Sequence, residues 1–106
     1  MAIKELLKEE LANSLRMERD YGRALAELPR GSLVRKIVGK QAYFYLAYRE
    51  GPKVRFQYMG RNVDKAELAR FREAKQLRAQ YRKHRSDVRK QIRFLRRVLR
   101  AKPILL

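Results

Sequence analysis

The chain has 106 residues and a mass of 12.7 kDa, room for one small domain with a single hydrophobic core and not for a large enzyme. Lys and Arg number 28 against 11 Asp and Glu, a formal charge of +17 that points to a polyanionic partner, nucleic acid first. Hydrophobic residues still make up 45%, too many for a disordered basic tail, while zero Cys and one His exclude a disulfide framework, a thiolate metal site and a histidine cluster.

Residues 1–28 read as an amphipathic helix. Ile3, Leu7, Leu11, Leu15, Tyr21, Leu25 and Leu28 recur at spacings of about 3.6, with Glu, Lys and Arg between them. Pro29 ends the pattern, because proline has no amide hydrogen and restricts the residue before it. Gly22 lies inside it and weakens a helix by about 1 kcal/mol relative to Ala, which predicts a bend or a close backbone approach there. This segment is nearly neutral, with five basic and six acidic side chains. Residues 29–63 hold eight and one, and residues 64–106 hold fifteen and four. Met1–Glu10 carries Lys4, Glu5, Lys8, Glu9 and Glu10 where a signal peptide needs an apolar run. No stretch nears the roughly 18 apolar residues of a membrane span, so a cytoplasmic protein is expected.

Residues 31–60 change period and predict a three-stranded antiparallel meander. Leu33–Val38 is β-branched, Gly39-Lys40 suits a two-residue hairpin turn, and Ala42–Arg49 is dense in aromatics. Glu50-Gly51-Pro52 turns the chain again before Lys53–Met59, and Gly60 closes the run. With a two-residue first loop, Leu33, Arg35 and Ile37 lie beside Phe44 and Leu46, and Val34, Lys36 and Val38 beside Tyr43 and Tyr45. The second turn allows two, three or four residues. A three-residue loop is preferred because it gathers Val54, Phe56 and Tyr58 with Phe44, Leu46 and Tyr48. The other face is then basic and aromatic, with Tyr43, Tyr45, Arg49, Lys53, Arg55 and Gln57.

Residues 64–101 predict a long basic helix. Asp64 offers an N-cap, Glu67 its capping-box partner, and Val63 with Leu68 a hydrophobic staple. Leu68, Phe71, Leu77, Tyr81, Val88, Ile92, Leu95 and Leu99 carry an apolar stripe onward until Pro103 forbids further propagation. Between Arg82 and Gln91 the stripe thins to Val88, which predicts a solvated or anion-bound segment. Ile104-Leu105-Leu106 is an apolar end that docks on a partner subunit or frays. The class is therefore α+β, one helix–meander–helix domain over residues 1–106.

No catalytic constellation is present. The sequence has no glycine-rich phosphate loop and no HExxH, and Ser14 and Ser32 share one candidate base, His84, which in an Arg-rich helix reads as solvated. The carboxylates of the first helix read as paired surface charges, not as a metal site. No enzyme, metal or cofactor is expected. Arg78, Arg82, Arg85, Arg89, Arg93, Arg96 and Arg100 recur at three and four residues, a ridge whose mutual repulsion a polyanion relieves. Beyond residue 75 only Asp87 opposes eleven Lys and Arg, whereas an ordinary solvated face mixes signs. On the sheet, Tyr43 and Tyr45 beside Lys36, Arg49, Lys53 and Arg55 suit stacking of unpaired bases rimmed by phosphate contacts. Aromatics on a central strand equally suit a core or a dimer interface. DNA and RNA are not separated by these features.

The segment from Leu28-Pro29-Arg30-Gly31-Ser32 through Tyr43-Phe44-Tyr45-Leu46-Ala47-Tyr48-Arg49-Glu50-Gly51 to Tyr58-Met59-Gly60-Arg61 resembles a recurrent, functionally uncharacterised prokaryotic domain family. That family shows a Leu-Pro-x-Gly-Ser opening, a Tyr-Tyr-Tyr-Leu-x-Tyr-Arg-Glu-Gly centre and a Tyr-Ile-Gly-Lys close. Phe44 replaces the middle Tyr, and Met59 and Arg61 depart from the close. The resemblance covers about a third of the chain and implies a helix–meander–helix module of prokaryotic or phage origin, with no activity attached. In architecture alone the meander is similar to the three-stranded sheets by which some integrases grip DNA. Two other classes fit the composition. One is a homo-oligomeric coiled-coil or interaction module, since the apolar stripes outrun what a small sheet covers. The other is a peripheral binder of anionic membranes, disfavoured by the interrupted apolar face and the lack of Trp.

Overall fold

The computed structural model describes residues 2–102. Its elements run α1 (Ile3–Glu27), β1 (Ser32–Val38), β2 (Gln41–Glu50), β3 (Lys53–Gly60) and α2 (Lys65–Arg100), the α-β-β-β-α order that the period switch at Pro29 predicts. The Ile104-Leu105-Leu106 end lies outside the described residues. Two compact units share α2. Leu28–Arg78 carries the sheet and the start of α2, while α1 and the rest of α2 from Ala79 form the other.

In the sheet unit the strand order is β1-β2-β3, antiparallel throughout. The first hairpin closes on Val38↔Gln41, the expected two-residue loop, and pairs Leu33 with Leu46 and Lys36 with Tyr43. The second departs from the expected three-residue loop. It closes on Glu50↔Lys53 with Gly51-Pro52 between them, and Gly51 has φ 62 at the first central position, where a type II′ turn requires glycine. Side chains of β3 are consequently reversed: Val54, Phe56 and Tyr58 lie opposite Arg49, Ala47 and Tyr45, and Arg55 and Gln57 lie opposite Tyr48 and Leu46. A bulge beside Phe44 and Tyr45 then brings Gly60, at φ 108, opposite Phe44.

Leu33, Arg35 and Phe44 line an open pocket with Leu68, Phe71, Arg72 and Lys75, so the start of α2 lies over this face of the sheet. Phe71 and Ala74 are buried there. Asp64 caps the helix as expected: its backbone carbonyl accepts from Leu68 N at 3.0 Å, and its carboxylate approaches Ala66 N at 3.5 Å. Ala74 was absent from the expected stripe because a methyl group carries little hydropathy signal.

In the helical unit α1 and residues 79–100 run antiparallel. Tyr21 meets Tyr81 and His84 with ring centroids 6.1 and 5.7 Å apart, Arg89 donates to Glu18 at 3.0 Å, and Gln91 donates to Glu10 at 3.1 Å. Burial follows alternating steps of three and four. Val88, Ile92 and Leu95 are buried, with Tyr81, Arg85 and Leu99 half-buried on the same stripe. On α1 the matching positions are Leu7, Leu11, Ser14, Glu18, Tyr21 and Leu25, and Ser14 is only 2% exposed. The stretch from Arg82 to Gln91, expected to be solvated or anion-bound, is exposed apart from buried Val88 and half-buried Arg85, and the exposed His84 ring stacks on Tyr21. Gly22 meets no close contact, since an added Cβ would find nothing within 4 Å.

Candidate functional site

The twelve candidate residues fall on two surfaces, one in each unit, with Arg78 at the edge of the sheet unit. On the sheet, Lys36, Tyr43, Tyr45 and Arg49 share a face as expected. Lys53 and Arg55 do not join them. The two-residue second loop turns both to the opposite face, where Arg55 pairs with Glu50 at 3.1 Å. Their places are taken by Val54, Phe56 and Tyr58, all more than half exposed. Tyr58 lies 5.4 Å from Tyr45 and 6.4 Å from Tyr43, centroid to centroid, in tilted contacts. The Lys36 ammonium sits 5.1 Å over the Tyr45 ring and 5.4 Å over Phe56, within cation–π range of both. None of the residues on this face is a carboxylate.

Phe56 and Tyr58 were visible in the sequence as alternating aromatics, but their face depended on the loop length. A preference for gathering apolar side chains into one core chose the wrong parity. Here the aromatic surplus stays on the surface, and Arg30 instead covers Tyr48 on the other face, its guanidinium 5.4 Å from the ring centroid and donating to the Arg49 carbonyl.

The expected ridge on α2 divides into anchored and free arginines. Arg78 is half-buried and donates to the Pro29 carbonyl at 2.6 Å, tying α2 to the chain entering β1. Arg85 belongs to the buried stripe, and Arg89 is exposed but engaged by Glu18. Arg82, Arg93 and Arg96 are exposed. Arg93 and Arg96 line a surface depression with Lys90, Arg97 and Arg100, five cations and no carboxylate. Arg100 donates to the Arg96 carbonyl at 3.2 Å, which holds its guanidinium along the helix. Lys90 and Arg97 were missed, although each stands three or four residues from Arg93, the spacing that places side chains on neighbouring turns. The concave grouping depends on side-chain directions that periodicity does not supply.

Among the described residues no helix is long and apolar enough to cross a membrane. No family model, curated protein or solved structure matches this chain.

Proposed function

We propose that this chain is a cytoplasmic, non-enzymatic nucleic-acid-binding protein that contacts phosphates through α2 and adds contacts from the exposed sheet face. The observation that carries the reading is the depression lined by Lys90, Arg93, Arg96, Arg97 and Arg100. Arg97 and Arg100, in the last turn of α2, gain about 0.3–1 kcal/mol each from the helix dipole, but like charges at neighbouring turns give back a few tenths per pair. Five neighbouring cations without a carboxylate therefore favour an anionic ligand, and a phosphate chain supplies anions at repeated spacing.

The test combines variants with a salt series. Replacing Arg93, Arg96 and Arg97 by Gln is expected to weaken binding to all sequences alike. On duplex the log–log salt slope should fall by about 0.9 for each lost phosphate contact. Arg89→Gln is expected to change the slope less, because Glu18 already compensates that charge. Absorbance at 260 nm before and after a high-salt wash, with nuclease sensitivity, reports what copurifies. Absence of retention on duplex and single strand at about 100 mM salt removes the reading.

A homo-oligomeric interaction module is the second reading, favoured by apolar side chains left in solvent on the helical unit. Ile3 is 76% exposed, Leu6 57% and Phe94 53%, with Met17 and Val98 also exposed. Covering them in a second copy adds apolar burial to a chain small enough to need it. Sedimentation equilibrium at micromolar concentration in moderate salt is expected to give a dimeric mass. A mass of 12.7 kDa under those conditions overturns it.

A further inference from the structure

We infer that the exposed sheet face binds unpaired bases of single-stranded nucleic acid, with Phe56 and Tyr58 as the stacking rings and Lys36 as a fixed phosphate contact. This rests on the nucleic-acid reading above and deepens it by naming the strand state that the sheet accepts. Tyr43 and Tyr45, the rings expected to stack, are half-buried, whereas Phe56 is 57% and Tyr58 54% exposed. Tyr58 contacts both tyrosines in tilted geometry, at 5.4 Å from Tyr45 and 6.4 Å from Tyr43, so they flank it on the same face. The Lys36 ammonium lies 5.1 Å over the Tyr45 ring and 5.4 Å over the Phe56 ring, which limits its freedom and places a cation among the rings themselves.

Charge selects the occupant. The face presents Lys36 and Arg49 with no carboxylate, while Glu50, the sole acid in residues 29–63, lies on the other face against Arg55. Exposed π faces bordered by uncompensated cations match a chain of alternating bases and phosphates. Paired bases present no ring face to such a platform, so duplex would contact Lys36 and Arg49 only.

The test uses fluorescein-labelled oligothymidylate and oligouridylate of about 15 nucleotides, with a mixed-sequence duplex for comparison. Phe56→Leu and Tyr58→Leu keep apolar bulk on β3. Each is expected to weaken single-strand binding by about 5- to 150-fold and to leave duplex binding within about twofold. The two oligomers distinguish a DNA from an RNA ligand; a loss on either supports the stacking surface. Because the chain contains no Trp, Phe56→Trp places a sole indole reporter on the face, and its emission is expected to be quenched by single strand and not by duplex. Unquenched emission, equal losses on duplex and single strand, or a fall in sedimentation mass in the Leu variants overturns the inference, the last by making the face an interface between copies. If wild-type protein retains neither ligand, the broader reading fails as well. If it binds duplex through the α2 arginines while Phe56→Leu is silent, only this inference fails.

Discussion

Replacing Gly31 with Ala is expected to destabilise the sheet unit by about 2–4 kcal/mol, because a left-handed backbone and a steric clash act together there. Gly31 has φ 85, a conformation that L side chains adopt at a cost. An added Cβ would stand 2.6 Å from the Ala47 carbonyl oxygen, 3.1 Å from Leu46 Cδ1 and 3.2 Å from Tyr48 Cβ. The Leu46 methyl can rotate aside. The Ala47 carbonyl cannot, since Ala47 is the partner of Ser32 in the first pair of the β1–β2 ladder. Gly39→Ala is the control: its φ is 64, but nothing lies within 4 Å of an added Cβ. It is expected to cost only the backbone term, about 1–2 kcal/mol. Urea unfolding followed by far-ultraviolet circular dichroism compares the two, and equal losses would show that β2 yields to the new methyl.

Gly31 shows where sequence reading succeeds and where it stops. Its place between Pro29 and the β-branched run marks the entry to a strand, and Gly39-Lys40 and Asp64 mark a turn and a cap through local chemistry alone. These features set the order of elements and three of their boundaries. The close approach of Ala47 to Gly31 is not local and follows only from the completed ladder. The second hairpin failed for a related reason. Glu50-Gly51-Pro52 is compatible with loops of opposite parity, and one residue of difference sends Phe56 and Arg55 to opposite faces. On α2 the three- and four-residue recurrence of arginines was legible. Which of them the fold uses was not, because Arg78 finds Pro29 and Arg89 finds Glu18 across long stretches of sequence.

Ile92→Ala is expected to destabilise the helical unit by about 2–5 kcal/mol, comparable to a large share of the total stability of a small domain. Ile92 is 4% exposed and stands on the stripe between Val88 and Leu95, the other two buried apolar residues among the described residues of that unit. Truncation removes apolar burial and leaves a cavity that the surrounding side chains fill only in part. Phe94→Ala, on the same helix but 53% exposed, is expected to cost less than about 1 kcal/mol unless a second copy covers that ring. The pair therefore reports on association as well as packing. If the chain dimerises through its exposed apolar side chains, the cost of Phe94→Ala grows with protein concentration, as stability linked to binding must. The Ile92 variant also separates scaffold from contact. Arg93 and Arg96 keep their charge in it, so single-strand and duplex binding should fall only where circular dichroism shows α2 melting. The Gln variants of those arginines should instead lose affinity while the helix stays intact.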